Sequence, residues 1–249
     1  MTAARVRRDL RQLSRPAKAK ILKSFFKTGP DQYGSGDRFI GVAVPDQRRV
    51  ARKYATLSLG ETAKLLGSPI HEHRLTALII IGNAYASAAR RGRIAEVKQI
   101  GRFIFTHRSR INNWDLVDTI TPLALGPYIL AYERRQLIKL ARSKNFWDRR
   151  IAIISTFPSI RRGDFADTFR LSAMLLDDDH DLIHKSVGWM LREVGNRDRP
   201  RLLSFLRRHA TRMPRTMLRY AIEKLPATQR ASFLKLKLLS KNKYSRILN

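Results

Sequence analysis

Apolar residues recur at three- and four-residue spacings along almost the whole of this chain, and no clear stretch alternates apolar with polar residues between hairpin turns. The first pattern lines up side chains on one face of a helix; the second, which a half-buried strand requires, is missing. The expected fold class is therefore all-α. Val6, Leu10 and Leu13 mark a first helix, and Ile21, Leu22, Phe25 and Phe26 a second. Beyond Pro45 the pattern becomes helix, short turn, helix, over 46–54, 59–66, 72–89, 94–105, 134–141, 147–157, 164–176, 181–194, 200–209, 215–225 and 227–236. The longest apolar stretch, 75–89, is interrupted by Gly82, Asn83 and Ser87. It falls short of the ~18 consecutive apolar residues of a membrane span and reads as a buried helix.

Short turns favour antiparallel neighbours in one continuous array. Trp114, Trp147 and Trp189 lie 33 and 42 residues apart, and helix pairs of roughly 35–45 residues are the period of HEAT-like solenoids. The expectation is a single-domain superhelical solenoid of HEAT-like antiparallel helix pairs over residues 1–238, followed by a basic C-terminal tail, 239–249. Such an array curves and offers a concave face.

Charge bears on what that face meets. Lys and Arg number 50 against 20 Asp and Glu, a formal net charge of +30. An excess of this size is costly in self-repulsion and points to a polyanionic partner, nucleic acid first and an anionic membrane surface second. With 43% hydrophobic residues the chain has enough for a core. Cysteine is absent, which excludes disulfides, thiolate catalysis and Cys-ligated zinc. The N-terminus has no apolar signal-peptide core. It is Arg-rich and amphipathic, which leaves an organellar presequence open; Asp9 and the smooth run into further helical pattern favour an ordinary first helix.

One stretch invites a chemical reading. Asn112-Asn113-Trp114-Asp115-Leu116-Val117-Asp118 sets an aromatic ring and a carboxylate four residues apart, on one helical face. Asn113 reads as an N-cap, and Asp115 in the first turn suits the helix dipole. Asp118 lies past that turn and beside a break at Pro122. Either one helix runs through and kinks, because Pro122 cannot donate to the Asp118 carbonyl, or Thr121 caps a new helix with Pro122 at its first position. The plainer alternative pairs Asp118 with a nearby Arg and puts Trp114 in the core.

Other clusters are weaker. Trp147-Asp148-Arg149-Arg150 opens a helix, with Trp147 read as core and Arg149 as solvated. Lys185, Trp189 and Arg192, at i, i+4 and i+7, form a cationic stripe around a ring that suits phosphates and a sugar or base; Trp189 as core is the rival reading. Asp177-Asp178-Asp179-His180-Asp181 lacks the calcium-loop spacing and reads as a cap for the helix beginning at Asp181. His71-Glu72-His73 is too closely spaced for a zinc helix and reads as surface, so no metal site is expected. The Gly-rich loop 28–37 has no phosphate-binding GK[ST].

Several blocks, in order, resemble the DNA alkylation repair family of AlkD-type, HEAT-like DNA glycosylases. They are Gly36-Asp37-Arg38-Phe39-Ile40-Gly41-Val42 with Pro45, then Asn113-Trp114-Asp115-Leu116-Val117-Asp118, then Trp147-Asp148-Arg149-Arg150. Lys185-Ser186-Val187-Gly188-Trp189-Met190-Leu191-Arg192-Glu193 and Met213-Pro214-Arg215-Thr216-Met217-Leu218-Arg219-Tyr220 complete them. The resemblance spans about residues 20–225. It implies a cleft of two Trp, an Asp and an Arg, which fall on Trp114, Trp189, Asp118 and Arg150; a family Tyr matches Tyr33.

The implied activity is excision of cationic N3- or N7-alkylpurines from duplex DNA, in base excision repair. A cationic base departs neutral, so no general acid is needed, and what remains is an oxocarbenium-like sugar that a carboxylate stabilises. The expected assignment makes Asp118, Trp114 and Trp189 catalytic, and Arg150, Lys185, Arg192 and Tyr33 DNA-binding. No Lys stands beside Asp118 for Schiff-base lyase chemistry, so the enzyme is expected to be monofunctional. It is further expected to need no cofactor, metal or membrane, and to be a cytoplasmic, nucleoid-associated monomer. The rivals are a non-catalytic nucleic-acid-binding helical-repeat protein and a scaffold for acidic protein partners.

Overall fold

The computed structural model describes residues 1–236, so the basic tail expected at 239–249 lies outside the described residues. Among the described residues the secondary structure is helical, and the one extended pairing is an isolated bridge between Arg38 and Ile70. The described residues divide into two compact units, Met1–Tyr128 and a second that begins at Ile129. None of the described helices is long and apolar enough to cross a membrane.

The first unit contains α1 (Ala3–Gln12), α2 (Pro16–Phe25), α3 (Val44–Lys53), α4 (Leu59–Leu66), α5 (His71–Arg90), α6 (Ile94–Thr106) and α7 (Trp114–Ile120). Its centre is α5, which packs against α3, α4, α6 and α7. Because neighbours surround it, α5 is buried on nearly every side, including Leu75, Leu78, Ile79, Ile80 and Ile81. That is the expected state of a helix apolar all round. Local signals fix the ends of its partners. Ser58 Oγ caps α4 by accepting from the Glu61 amide, and Asn113 Oδ1 accepts from the Trp114 amide at the start of α7.

Thr121 does not cap a new helix at Pro122; of the two anticipated routes the chain takes the continuous one, with a widened turn at the proline. The helical path continues from α7 through a widened π segment, Thr121–Leu125, into α8 (Gly126–Tyr132). The Thr121 amide reaches the Val117 carbonyl, and the Gly126 amide reaches the Thr121 carbonyl five residues back. The extra residue in the turn absorbs the donor that proline lacks.

Further along come α9 (Gln136–Ala141), α10 (Phe146–Ile154), α11 (Phe157–Arg161), α12 (Ala166–Met174), α13 (Asp181–Gly195), α14 (Arg199–His209), α15 (Arg215–Ile222) and α16 (Ala227–Lys235). Here α13 takes the central place, packed by α10, α11, α12, α14 and α15. The sequence pattern ran 147–157 as one helix. The chain instead stops at Ile154 and restarts with Pro158 in the first turn of α11. α13 is capped from within the run 177–181, by the His180 side chain, which accepts from the Leu182 amide, with Asp181 in the first turn.

Candidate active site

The first unit brings Trp114 and Asp118 to one cavity of about 350 Å³, lined also by Arg48, Ile79, Asn83, Asp115, Thr119 and Leu123. Both residues are half-buried. α7 supplies the ring and two carboxylates from successive turns, α5 supplies Ile79 and Asn83, and α3 supplies Arg48. A carboxylate and an indole ring that line one cavity with an amide and a guanidinium can stabilise a positive charge and hydrogen-bond a polar ligand around it.

What holds the start of α7 is a buried ion network that the sequence reading missed. His71, 2% exposed, donates from both ring nitrogens. Nδ1 lies 3.0 Å from Asp37 Oδ2, and Nε2 lies 2.7 Å from Asp115 Oδ2. Asp37 also accepts from Arg74 Nη2 and, at 2.9 Å, from Asn113 Nδ2. Burial pushes the His71 imidazole down, but the two carboxylates outweigh it and raise it to about 9. It is therefore an imidazolium at neutral pH. Burial raises Asp37, yet His71, Arg74 and Asn113 together hold it below the ordinary carboxylate value. Asp115 leans on this one partner, since its Oδ1 is buried without a hydrogen bond among the described residues.

His71-Glu72-His73 is thus interior, not surface: all three are buried. Glu72 Oε1 accepts from the amides of Ile40, Gly41 and Val42 at 3.1, 2.7 and 3.3 Å. Gly41 has φ +81°, and a Cβ there would meet the Arg15 carbonyl oxygen at 2.1 Å, so only glycine lets this amide turn onto Glu72. His73 bonds Ser68 Oγ at 2.9 Å; burial first, then Arg7 and Arg11, depress it to about 4. The Gly36–Val42 block therefore serves as a socket for the first turn of α5, and α5 passes that order to α7 through His71 and Asp115. The available signal was the long, mostly apolar stretch that follows: a helix buried all round buries its first turn too.

Aromatic rings complete the support of Trp114. It stacks on Phe26 at 5.3 Å between centroids and meets Phe25 edge-on at 5.9 Å. Phe26 stacks in turn on Phe39, and Phe39 on His71. Tyr33, from the Gly-rich loop, donates from its hydroxyl to the Phe25 carbonyl at 3.4 Å.

In the second unit Trp147 is buried, as the core reading required. Arg149 is not solvated: it forms a fork onto Asp178 and donates to the carbonyls of Ser143 and Lys144. Arg150 is 4% exposed and donates from Nη1 to the Leu182 carbonyl. Lys185 pairs with Asp181 at 2.7 Å, and Arg192 with Glu223. Trp189 is half-buried, so it is not core, and its ring lies 6.1 Å from Phe157. Gly188 explains its position. A Cβ at Gly188 would stand 2.4 Å from Tyr220 Cβ and 2.5 Å from the Met217 carbonyl oxygen, so α13 and α15 meet in direct contact beside Trp189.

No group of three or more metal-binding side chains converges among the described residues. The DNA alkylation repair enzyme family matches this chain over residues 6–225. No curated protein matches it. Among solved structures, one described as a predicted DNA alkylation repair enzyme from Enterococcus faecalis is 15% identical, with a TM-score of 0.63 over 86% of this chain and 97% of that one. At that identity the likeness speaks for the fold alone. A second, smu.31 from Streptococcus mutans UA159, is 16% identical, with a TM-score of 0.47 over 79% of this chain and 93% of that one.

Proposed function

The chain belongs to the DNA alkylation repair enzyme family, and from that premise we propose that it is a monofunctional DNA glycosylase that releases cationic N3- or N7-alkylpurines from duplex DNA. One observation supports this above all: Trp114 and Asp118 line the same cavity. An alkylated purine carries its own positive charge and leaves neutral, so the site has to stabilise the sugar cation left behind. Asp118 supplies the negative charge for that cation and orients the attacking water. Trp114 offers a ring face to the cationic base, worth ~1–2 kcal/mol where water is excluded.

In the second unit, by the family match, Trp189 is a ring for DNA and Arg150, Lys185 and Arg192 are cations for the phosphates. Arg150 does so from a buried position, so its grip on DNA depends on the Leu182 carbonyl giving it up or sharing it. Tyr33 steadies the end of α2 beside Trp114. Among the described residues no lysine lines the cavity, which favours hydrolysis over Schiff-base chemistry. On this reading the enzyme works without metal or cofactor, as a cytoplasmic monomer on chromosomal DNA.

The test is single-turnover incubation with a duplex carrying N-methylated purines, separating free base from strand. Release of methylpurine with the backbone left intact at an abasic site is the expected result. Binding without release would move the protein to the non-catalytic class. Affinity should also fall with salt at a log–log slope of about −0.9 per phosphate neutralised.

A further inference from the structure

The first unit has a second cavity, of about 470 Å³, which shares no lining residue with the one around Trp114. Its walls are Arg7 and Arg11 from α1, Lys64 from α4, the turn 67–70 and His73 from α5. His71 and His73 are two residues, and so about 200°, apart around α5. His71 faces Asp115 of α7, so His73 and this cavity lie on another flank of the helix. The rim is fixed, because Arg110 donates to the carbonyls of Leu66, Gly67 and Ser68 at 3.1, 3.0 and 3.4 Å. A recess of this volume is the size of a small-molecule site.

Several donors here lack partners. Arg7 Nη2 donates to the Lys64 carbonyl at 2.6 Å, but Arg7 Nε is buried with no hydrogen bond among the described residues. The Arg11 guanidinium enters no ion pair among the described residues. His73 is 4% exposed and is kept neutral by burial first, then by Arg7 and Arg11. Ser68 Oγ accepts from the Ile70 amide at 3.1 Å and lies 2.9 Å from His73 Nδ1. The hydroxyl proton satisfies Nδ1, which leaves the proton of the neutral ring on Nε2, a donor without a partner among the described residues. Lys64 pairs with Glu61 at 2.6 Å, and no acid lines the cavity among the described residues. Three cations against that one carboxylate leave an excess of two positive charges.

We propose that this cavity binds the phosphate group of a small organic phosphomonoester. Such a group carries about −1.5 to −2 charge at neutral pH and three strong acceptor oxygens, which match the charge excess and the idle N–H groups of Arg7, Arg11 and His73. The remaining volume, beside Pro69, Ile70 and the alkyl stem of Lys64, takes the organic part. A backbone phosphodiester fits less well: it carries one charge and has sugars on both sides, which suits an open groove and not a recess. The Trp114 cavity has no part in this binding.

The test is titration calorimetry on the full-length protein in phosphate-free buffer, with adenosine 5′-monophosphate, adenosine and inorganic phosphate as probes. The monophosphate should fill a single saturable site, inorganic phosphate should compete for it more weakly, and adenosine should not bind. Arg11→Gln should weaken the monophosphate about tenfold, the scale of one charge-assisted hydrogen bond. His73→Asn keeps a polar group near Ser68 and removes the Nε2 donor, so it should weaken the same probe by a smaller factor. Arg170→Gln removes the charge of an exposed arginine in the second unit and should leave the titration unchanged. Affinity for undamaged duplex should be the same in Arg11→Gln and Arg170→Gln. Adenosine binding as tightly as its monophosphate would overturn the proposal, as would wild-type titrations in both Arg11→Gln and His73→Asn. Equal weakening by Arg11→Gln and Arg170→Gln would reduce the effect to general charge and overturn it too. So would an Arg11→Gln loss as large for duplex as for the monophosphate, since the cations would then hold the DNA backbone. If His73→Asn melts abnormally, Arg11→Gln, an exposed position, carries the test. Base excision enters none of these readouts, so the proposal stands or falls apart from the glycosylase reading.

Discussion

Trp114 and Trp189 are both half-buried rings near a central helix, yet they are held by different forces. Trp114 opens α7, whose first turn is tied to α5 by a buried imidazolium between two carboxylates. Trp189 lies on α13 itself, set by Gly188 and the contact of α13 with α15. The first arrangement is electrostatic, and so depends on pH. The second is steric, and depends on the absence of a single methyl group. The difference teaches that two similar residues can be broken by unrelated means, which gives ways to separate them.

The largest expected effect belongs to Asp118. Asp118→Asn keeps shape and removes charge, so base release in single turnover should drop ~10²–10³-fold, as for the loss of one electrostatic stabiliser. Affinity for undamaged duplex should hold or rise slightly, because a carboxylate repels phosphates. A variant that melts and binds normally and still excises at the wild-type rate ends the catalytic role of Asp118.

Next in size is the steric arm of the comparison. Gly188→Ala puts a methyl group against the Met217 carbonyl and Tyr220, and backbone cannot step aside as a flexible side chain can. Denaturant unfolding should show a loss of about 1–3 kcal/mol, the usual cost of overpacking, with a shift in tryptophan emission. An unchanged midpoint would mean that α13 and α15 are not in the contact described.

The electrostatic arm is comparable in size but conditional on pH. His71 is raised from 6.5 to about 9, so its contribution is complete below pH 6.5 and lost as pH rises through 9. A displacement of that extent corresponds to roughly 3 kcal/mol at most. His73, pushed down to about 4, acts on the other side and costs stability as pH falls below 6.5. Melting temperature should therefore peak near neutrality. In His71→Gln it should be lower at pH 6.5 and nearly flat from there to pH 9.5. A mutant that keeps the full alkaline slope would show that another group carries it.

Smallest is the ring of the second unit. Trp189→Ala should slow excision by about 5–30-fold, the equivalent of ~1–2 kcal/mol of cation–π interaction. Binding to undamaged duplex should change by less than about twofold, since Lys185 and Arg192 remain to meet the phosphates. Equal losses in binding and excision would assign Trp189 to general DNA grip instead.

The sequence by itself determined the helical class, most of the helices and the membership of Trp114 and Asp118 in one face. These are local matters: spacing of three or four, a cap such as Asn113, a Gly or Pro at an end, each act within a turn or two of chain. The sequence also carried the family blocks in order, including Gly188 before Trp189. Only the tertiary structure decided what became of the charges. His71 and Asp37 are 34 residues apart and His71 and Asp115 are 44 apart, so the apolar run after His73 can signal that the turn is buried, but nothing local names the partners of its charges. Arg149, read as solvated, and Asp178 likewise meet across 29 residues. A charge is stable inside a protein only when its partner arrives with it, and that arrival is a property of the packed helices, not of the residues beside it in the chain.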